Sequence, residues 1–191
     1  MNIAIFASGS GSNFQALVDD EFIKPYVKLL VCDKPNAYVL ERANKHDIPV
    51  FLFEAKNYPD KEAFETEILL ELRRLEIDLL VLAGYMRLIG PTLLAEFPEQ
   101  IVNLHPSLLP EFKGKDAIGQ AIQANVSGTG VTAHFVDAGM DTGPIIDQVK
   151  VTIETAETTD TLAEKIHQVE HIFYPKVIRG LIQNGGNDYL S

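Results

Sequence analysis

One cysteine, Cys32, stands in 191 residues, so neither an internal disulfide nor a thiolate metal site can form, and the chain suits a reducing compartment. Basic residues are scarce: 16 Lys and Arg against 27 Asp and Glu give a formal charge of −11 at pH 7, with a pI near 4.8. That balance opposes binding to a polyanion over a broad surface, so nucleic acid is not expected as a partner, although a local cradle can still hold a small phosphate. No apolar run reaches the length of a bilayer-spanning helix, and no membrane partner is expected. The N-terminus has neither the basic start nor the small-residue cleavage site of a secretory leader, so a cytoplasmic location is the expectation. No set of His, Asp or Glu has metal-ligand spacing, and no metal is expected. Internal repeats, low-complexity segments and linkers are missing as well. The sequence is silent on oligomeric state, and a homodimer stays open.

What is present is an ordinary globular composition, 46% apolar and 23% charged, with enough chain for one domain and a full core. Short apolar runs at Met1 to Ala7, Val27 to Cys32, Val50 to Leu52, Ile77 to Ala83 and Ile101 to Asn103 read as strands buried on both faces, the mark of a parallel sheet. Helical patterns lie between them, at Phe14 to Asp20, Tyr38 to His46 and Asp60 to Leu75. The last carries Phe64, Ile68, Leu69, Leu72 and Leu75 at helix spacing. Such alternation predicts right-handed crossovers and a doubly wound α/β sheet. The second half differs: Gly128 to Val136 and Ile145 to Ile153 are strand-like around a loop at Gly139 to Pro144, a hairpin-type antiparallel extension. A closing helix is expected over Thr161 to Leu181, with Leu162, Ile166, Val169, Phe173 and Val177 on its stripe. Thr158 to Asp160 supplies its N-cap, and Pro175 is expected to kink it. The tail Asn184 to Ser191 is expected to fray.

After the first strand comes Ser8-Gly9-Ser10-Gly11-Ser12-Asn13, a glycine turn opening a helix. Its backbone N–H groups and the positive helix end favour a phosphate or carboxylate, with Gly11, Ser12 and Asn13 as donors. A dinucleotide fingerprint is the alternative, and Asp33 would supply its ribose-binding acid. However, Phe14 stands where the third glycine belongs, and no Gly-Lys-Ser/Thr closes a Walker-type loop. A tight turn without a ligand is the third reading.

Ligands in open α/β sheets collect at the carboxyl ends of the strands. Gly84 to Ile89 and the stretch Asn103-Leu104-His105-Pro106 belong there, and Asp141 would join them if its hairpin folds back. An amide, an imidazole and a carboxylate together suit acyl transfer: the amide donates to a developing oxyanion, the imidazole moves a proton, and the carboxylate holds the ring. Alone, each is more ordinary: a lone His is usually structural, and an Asp before Thr-Gly-Pro is a turn former. Asn103 and His105 are two apart on a strand end, so they share one side, with Leu104 turned toward the core. Arg87 either covers a helix end or faces an anionic or planar ligand. His134 alternates with apolar residues, which suits core packing as well as contact with a site.

On these residues the chain resembles the phosphoribosylglycinamide formyltransferase family, folate-dependent enzymes of de novo purine synthesis. The resemblance is carried by IFASGSGSNFQAL (Ile5 to Leu17), LAGYMRLI (Leu82 to Ile89), NLHPSLLP (Asn103 to Pro110) and VTAHFVDAGMDTGP (Val131 to Pro144). The last two are shared with the wider group of 10-formyltetrahydrofolate formyltransferases and hydrolases, and SGSGSN narrows the match.

The resemblance implies one Rossmann-like formyltransferase domain over residues 1–191, a doubly wound, mostly parallel sheet with an antiparallel C-terminal extension. A phosphate-binding half would end near residue 100, and a folate-binding and catalytic half would follow from about 101. It implies that 10-formyltetrahydrofolate gives its formyl group to the amine of glycinamide ribonucleotide. Asn103 would bond the formyl oxygen, His105 would donate a proton, and Asp141 would keep His105 protonated. Gly11, Ser12 and Asn13 would bind the substrate phosphate, and His167, Gln168, Val169 and Glu170 the rest of the ribonucleotide. Folate would meet Met86, Arg87, Leu88, Ile89, Asn103, Asp137, Ala138, Gly139, Met140 and Asp141, and Lys61 aligns with a basic residue that meets it in relatives. Glu111 to Ile118 departs from relatives that carry a histidine after the glycine.

Other readings have their own requirements. A methionyl-tRNA formyltransferase needs a further tRNA-binding domain, where this acidic chain closes with its helix, and a formyltetrahydrofolate hydrolase carries an N-terminal regulatory domain, where Met1 leads straight into strand one. A non-catalytic phosphate- or nucleotide-binding module would use the Gly11 turn without needing Asn103, His105 and Asp141.

Overall fold

In the computed structural model, residues 1–185 are described. They fold as two compact units, Met1–Val102 and the part from Asn103 onward, and strand β5 carries the chain from one to the other.

The first unit holds strands β1 (Ile3–Ala7), β2 (Val27–Cys32), β3 (Val50–Leu52) and β4 (Leu79–Leu82), and the start of β5 (Ile101–His105). Every pairing in it is parallel, β1 with β2 and β4, β2 with β3, and β4 with β5. All residues of β1 and β4 are buried, as continuous apolar runs in a doubly covered sheet require. Strand β3 departs from that expectation. It is the outermost strand, and Val50 and Leu52 are 39% and 45% exposed.

Helices α1 (Ser12–Asp19), α2 (Val39–Lys45) and α3 (Lys61–Arg74) connect these strands. Asp60 caps α3 by accepting from the Ala63 N–H at 2.9 Å. Phe64, Ile68, Leu69 and Leu72 form its buried face, Leu75 is only half-buried at the C-cap, and a carboxylate, Glu65, is buried among the apolar residues. A short helix not expected from the sequence, α4 (Pro91–Glu96), follows β4 and starts with proline at its first turn.

In the second unit β5 ends at His105, and β6 (Gly128–Phe135) pairs antiparallel with β7 (Ile145–Thr152), with a register shift at Ala133/His134. The strand order is β3-β2-β1-β4-β5-β6-β7, a seven-stranded, mostly parallel sheet with the antiparallel strands at its C-terminal side. A second unexpected helix, α5 (Ala117–Gln123), follows β5, with Asp116 accepting from the Gly119 N–H at its N-cap. Helix α6 (Thr159–Gln183) is longer than expected at both ends. Thr158 and Thr161 form a capping box at its start, and the helix continues through buried Pro175. Its stripe is Leu162, Ile166, Phe173 and Val177 as expected, but Glu170 occupies the buried position beside a half-buried Val169. The expected fraying of the tail lies, from residue 186 on, outside the described residues.

Candidate active site

The glycine turn of the first unit is built around Gly11, the N-cap of α1, at φ 76°. A Cβ there would stand 2.5 Å from Val39 Cγ2 and 3.0 Å from Val39 Cα, so both the left-handed backbone and the packing of α2 require glycine. The Val39 N–H donates to the Gly9 carbonyl at 3.1 Å, and Arg42 Nε donates to the Ser10 carbonyl at 2.7 Å. Gly11 has no side chain to cap α1, whose first turn begins at Ser12. Phe14 is fully buried, which is incompatible with the close approach that a dinucleotide fingerprint makes at that position.

Asp33, the acid that a dinucleotide reading would use, is committed elsewhere. Its carboxylate is buried and accepts from Arg87 Nε at 2.8 Å, while the Arg87 guanidinium lies 5.7 Å from the Phe64 ring centroid. Arg87 therefore anchors the segment after β4. Four more bonds hold that segment: the Met86 N–H donates to Ser8 Oγ at 2.9 Å, Lys61 Nζ donates to the Leu88 carbonyl at 2.7 Å, and Glu65 accepts from the N–H groups of Gly90 and Leu93 at 2.6 and 3.2 Å. Burial pushes the Glu65 carboxyl up, against the lowering effect of those two bonds. The result is a braced segment with Met86 and Leu88 out in solvent and Ile89 half-buried. Lys61 meets this segment through its backbone, a role that sequence spacing does not reveal.

In the second unit His105 and Asp141 are brought together, because the β6–β7 loop does fold back. Nδ1 of His105 lies 3.4 Å from Asp141 Oδ2, and Nε2 lies 2.7 Å from the Phe112 carbonyl. Both ring nitrogens thus face oxygen acceptors. A neutral imidazole has one N–H to give and so can donate to one of them. The Gly114 N–H donates to the same Asp141 Oδ2 at 2.8 Å, with Gly114 at φ 79° and Asp141 itself at φ 54°. Phe112 and Gly114 act through backbone groups from the stretch Glu111 to Ile118, and sequence reading could not have assigned them: a carbonyl or N–H is common to every residue.

Asn103 stands half-buried on β5, two residues before buried His105, while Leu104 is half-buried rather than turned fully into the core. Of these two polar side chains the imidazole is the better covered. His134 joins this cluster. Its Nε2 is 3.4 Å from Asn103 Nδ2 and 3.7 Å from Asp141 Oδ1, and its Nδ1 is 2.9 Å from the Phe135 carbonyl. Burial pulls the His134 pKa down, and the Phe135 carbonyl and Asp141 oppose that pull.

The turn carrying His105 is stiffened by buried polar groups. Thr132 Oγ1 donates to the Ser107 carbonyl at 2.7 Å and accepts from the Leu109 N–H at 3.0 Å and from Gln148 Nε2 at 2.9 Å. In the β6–β7 loop Asp137 accepts from Thr142 Oγ1 at 2.6 Å and from the Gly139 N–H at 2.9 Å, and the Thr142 bond leads in holding its carboxyl below the usual range. Gly143 is packed against the Phe135 carbonyl with no room for a Cβ, which explains the glycine of Asp-Thr-Gly-Pro. Asp137, Ala138, Gly139 and Met140 are all exposed. The four residues of α6 do not share a face: His167 and Gln168 are exposed, Val169 is half-buried and Glu170 is buried. Among the described residues no group of three or more His, Cys, Asp or Glu could hold a metal ion, and no helix is long and apolar enough to cross a membrane.

Comparison with known proteins places the chain in a family. The family described as formyl transferase matches residues 1–178. The phosphoribosylglycinamide formyltransferase of Bacillus subtilis (strain 168) is 52% identical over 182 residues, covering 94% of this chain and 93% of its own. A crystal structure of glycinamide ribonucleotide transformylase 1 from Geobacillus kaustophilus superimposes with a TM-score of 0.91 at 58% identity, over 94% of this chain and 97% of that one. The phosphoribosylglycinamide formyltransferase of Bacillus halodurans does so with a TM-score of 0.92 at 51% identity over the whole of both chains. The chain belongs to the formyl transferase family, and within it to the phosphoribosylglycinamide formyltransferases.

Proposed function

We propose that this chain transfers the formyl group of 10-formyltetrahydrofolate to the amine of N1-(5-phospho-D-ribosyl)glycinamide, giving the N2-formyl product and tetrahydrofolate in purine biosynthesis. The observation that carries the reaction type is the pairing of His105 with Asp141 beside Asn103. The amine nitrogen attacks the formyl carbon, and the carbonyl electron pair moves onto oxygen. Asn103 donates an N–H to that oxygen as its charge develops. The attacking nitrogen loses a proton to solvent, the oxygen's electron pair re-forms the carbonyl as the bond from carbon to N10 of the folate breaks, and His105 supplies the proton that N10 takes with the electron pair, to be reprotonated from solvent afterwards. Asp141 faces the imidazolium and steadies its charge.

Binding divides among the remaining residues. Gly11, Ser12 and Asn13 take the phosphate at the uncapped start of α1, and His167, Gln168, Val169 and Glu170 serve the rest of the ribonucleotide. The folate meets Met86, Arg87, Leu88, Ile89 and Asn103, together with Asp137, Ala138, Gly139, Met140 and Asp141. The exposed side chains of Met86, Leu88 and Met140 supply adaptable apolar surface that fits a planar ring system. Lys61 contributes by holding the Leu88 carbonyl. In this reading residues 1–191 form one formyltransferase domain. It works in the cytoplasm, which the buried, unpaired thiol of Cys32 supports. A homodimer is the assembly proposed for it, and sedimentation is the test.

The function is tested by mixing the protein with 10-formyltetrahydrofolate and following the folate absorbance. A change that requires the ribonucleotide supports transfer. A change with water as the only acceptor overturns it and points to a hydrolase.

A further inference from the structure

We propose that His134 is a positioning residue for formyl transfer: from within β6 it fixes which way the Asn103 amide points and leaves Asp141 to His105. The proposal rests on the roles given above to Asn103 and His105. It starts from the hydrogen-bonding capacity of one buried ring. Nδ1 of His134 lies 2.9 Å from the carbonyl of Phe135, a group that can only accept, so Nδ1 carries the hydrogen. In the neutral ring Nε2 is then a lone pair. It faces Asn103 Nδ2 at 3.4 Å and Asp141 Oδ1 at 3.7 Å. A lone pair accepts from the amide and offers nothing to the carboxylate.

Two consequences follow. The Asn103 amide turns its nitrogen toward His134, and its second N–H is left for substrate; among the described residues that amide makes no other hydrogen bond. Without an acceptor at this place the amide could rotate by half a turn and present its oxygen instead, which would repel a developing oxyanion. The carboxylate of Asp141, which receives nothing from a neutral His134, keeps its interaction with His105 and its bond from the Gly114 N–H. A second proton on His134 would undo both arrangements: Nε2–H would confront the amide N–H and compete with His105 for Asp141. Asp141 and Asp137 from the loop after β6 favour that proton, while His105 from β5 and above all the burial of the ring oppose it. A histidine that merely fills the core would have no bearing on catalysis.

The test begins with the intact protein labelled with nitrogen-15 at histidine. Its ring shifts should report His134 as the Nδ1-protonated tautomer at about pH 7 to 8, a result independent of any assay. The Nε2-protonated tautomer would overturn the proposal. Kinetics then use His134→Leu and His134→Gln, with thermal unfolding to establish that each is folded. His134→Leu should lower kcat about ten-fold or more, with KM for both substrates within about two-fold. His134→Gln, whose amide oxygen can replace Nε2 as acceptor and does not titrate, should return kcat to within a few-fold of the wild type and lose less activity on acidification. Wild-type kcat in folded His134→Leu, or no advantage of Gln over Leu, contradicts the positioning role. If His134→Leu does not fold, the tautomer and the His134→Gln pH profile decide. Absence of transfer by the wild-type protein would overturn the functional reading, and the catalytic role of His134 with it, while leaving the tautomer intact.

Discussion

Asp141 Oδ2 lies 3.4 Å from Nδ1 of His105 and is held there by the Gly114 N–H at 2.8 Å, so the carboxylate is fixed before it meets the ring. Its left-handed backbone, φ 54°, is one that Asp tolerates better than most residues. Asparagine at this position keeps the shape and removes the charge. Asp141→Asn should therefore lower kcat by about 10²- to 10⁴-fold and leave KM for the ribonucleotide nearly unchanged. Steady-state kinetics with each substrate varied measures this, and a kcat within a few-fold of wild type would refute the pairing.

Asn103 is assigned the oxyanion. Removal of a single such donor costs about 10²- to 10³-fold in kcat in enzymes of this kind. Asn103→Ala should show a loss of that size, visible even with saturating folate. A rise in KM alone would mean that the amide binds substrate without sensing the transition state.

Gly11 is where backbone and packing coincide. An alanine would be forced into a left-handed conformation that costs about 1–2 kcal/mol, and its methyl would also press on Val39, at 2.5 Å from Cγ2. Urea unfolding of Gly11→Ala should show a stability loss of about 2–4 kcal/mol, and KM for the ribonucleotide should rise more than kcat falls. An unperturbed KM would argue that the turn holds no phosphate.

Much of this was legible in the chain itself. The five parallel strands and three connecting helices follow from apolar periodicity, and the antiparallel pair β6–β7 from its Gly- and Asp-rich loop. Two kinds of information were not legible. Helices α4 and α5 span six and seven residues, too short for a periodic signal. Backbone partners are also invisible: nothing in Phe112 or Gly114 as residue types announces that a carbonyl faces His105 or an N–H faces Asp141. His134 was ambiguous for the opposite reason, since its alternation along β6 fits a core residue, and it is both buried and in contact with the site. Glu65 is the plainest mismatch. A carboxylate on the buried face of α3 contradicts the pattern until its bonds to the Gly90 and Leu93 N–H groups are seen.

Burial of His134 also ties stability to pH. Its folded-state pKa lies below the ordinary value of 6.5. More than about a unit above pH 6.5 the ring is neutral folded or unfolded and adds no pH dependence. As pH falls below that, the unfolded chain takes up a proton that the folded chain does not, so stability declines, by at most about 1.4 kcal/mol per pH unit, until the folded ring is protonated too. Urea unfolding of wild type and His134→Gln from about pH 7 to 5 should diverge in slope, the variant losing less. Parallel curves would place the titration elsewhere.

The account as a whole turns on where the formyl carbon goes. A single-turnover experiment with 10-formyltetrahydrofolate labelled in its formyl group, run with the wild-type protein and with His105→Ala, follows that atom directly. The account predicts that label appears in the amide of the ribonucleotide in one-to-one ratio with tetrahydrofolate, at a rate that falls by at least about 10²-fold in His105→Ala. Label recovered as formate, or transfer at the same rate in both proteins, would contradict it.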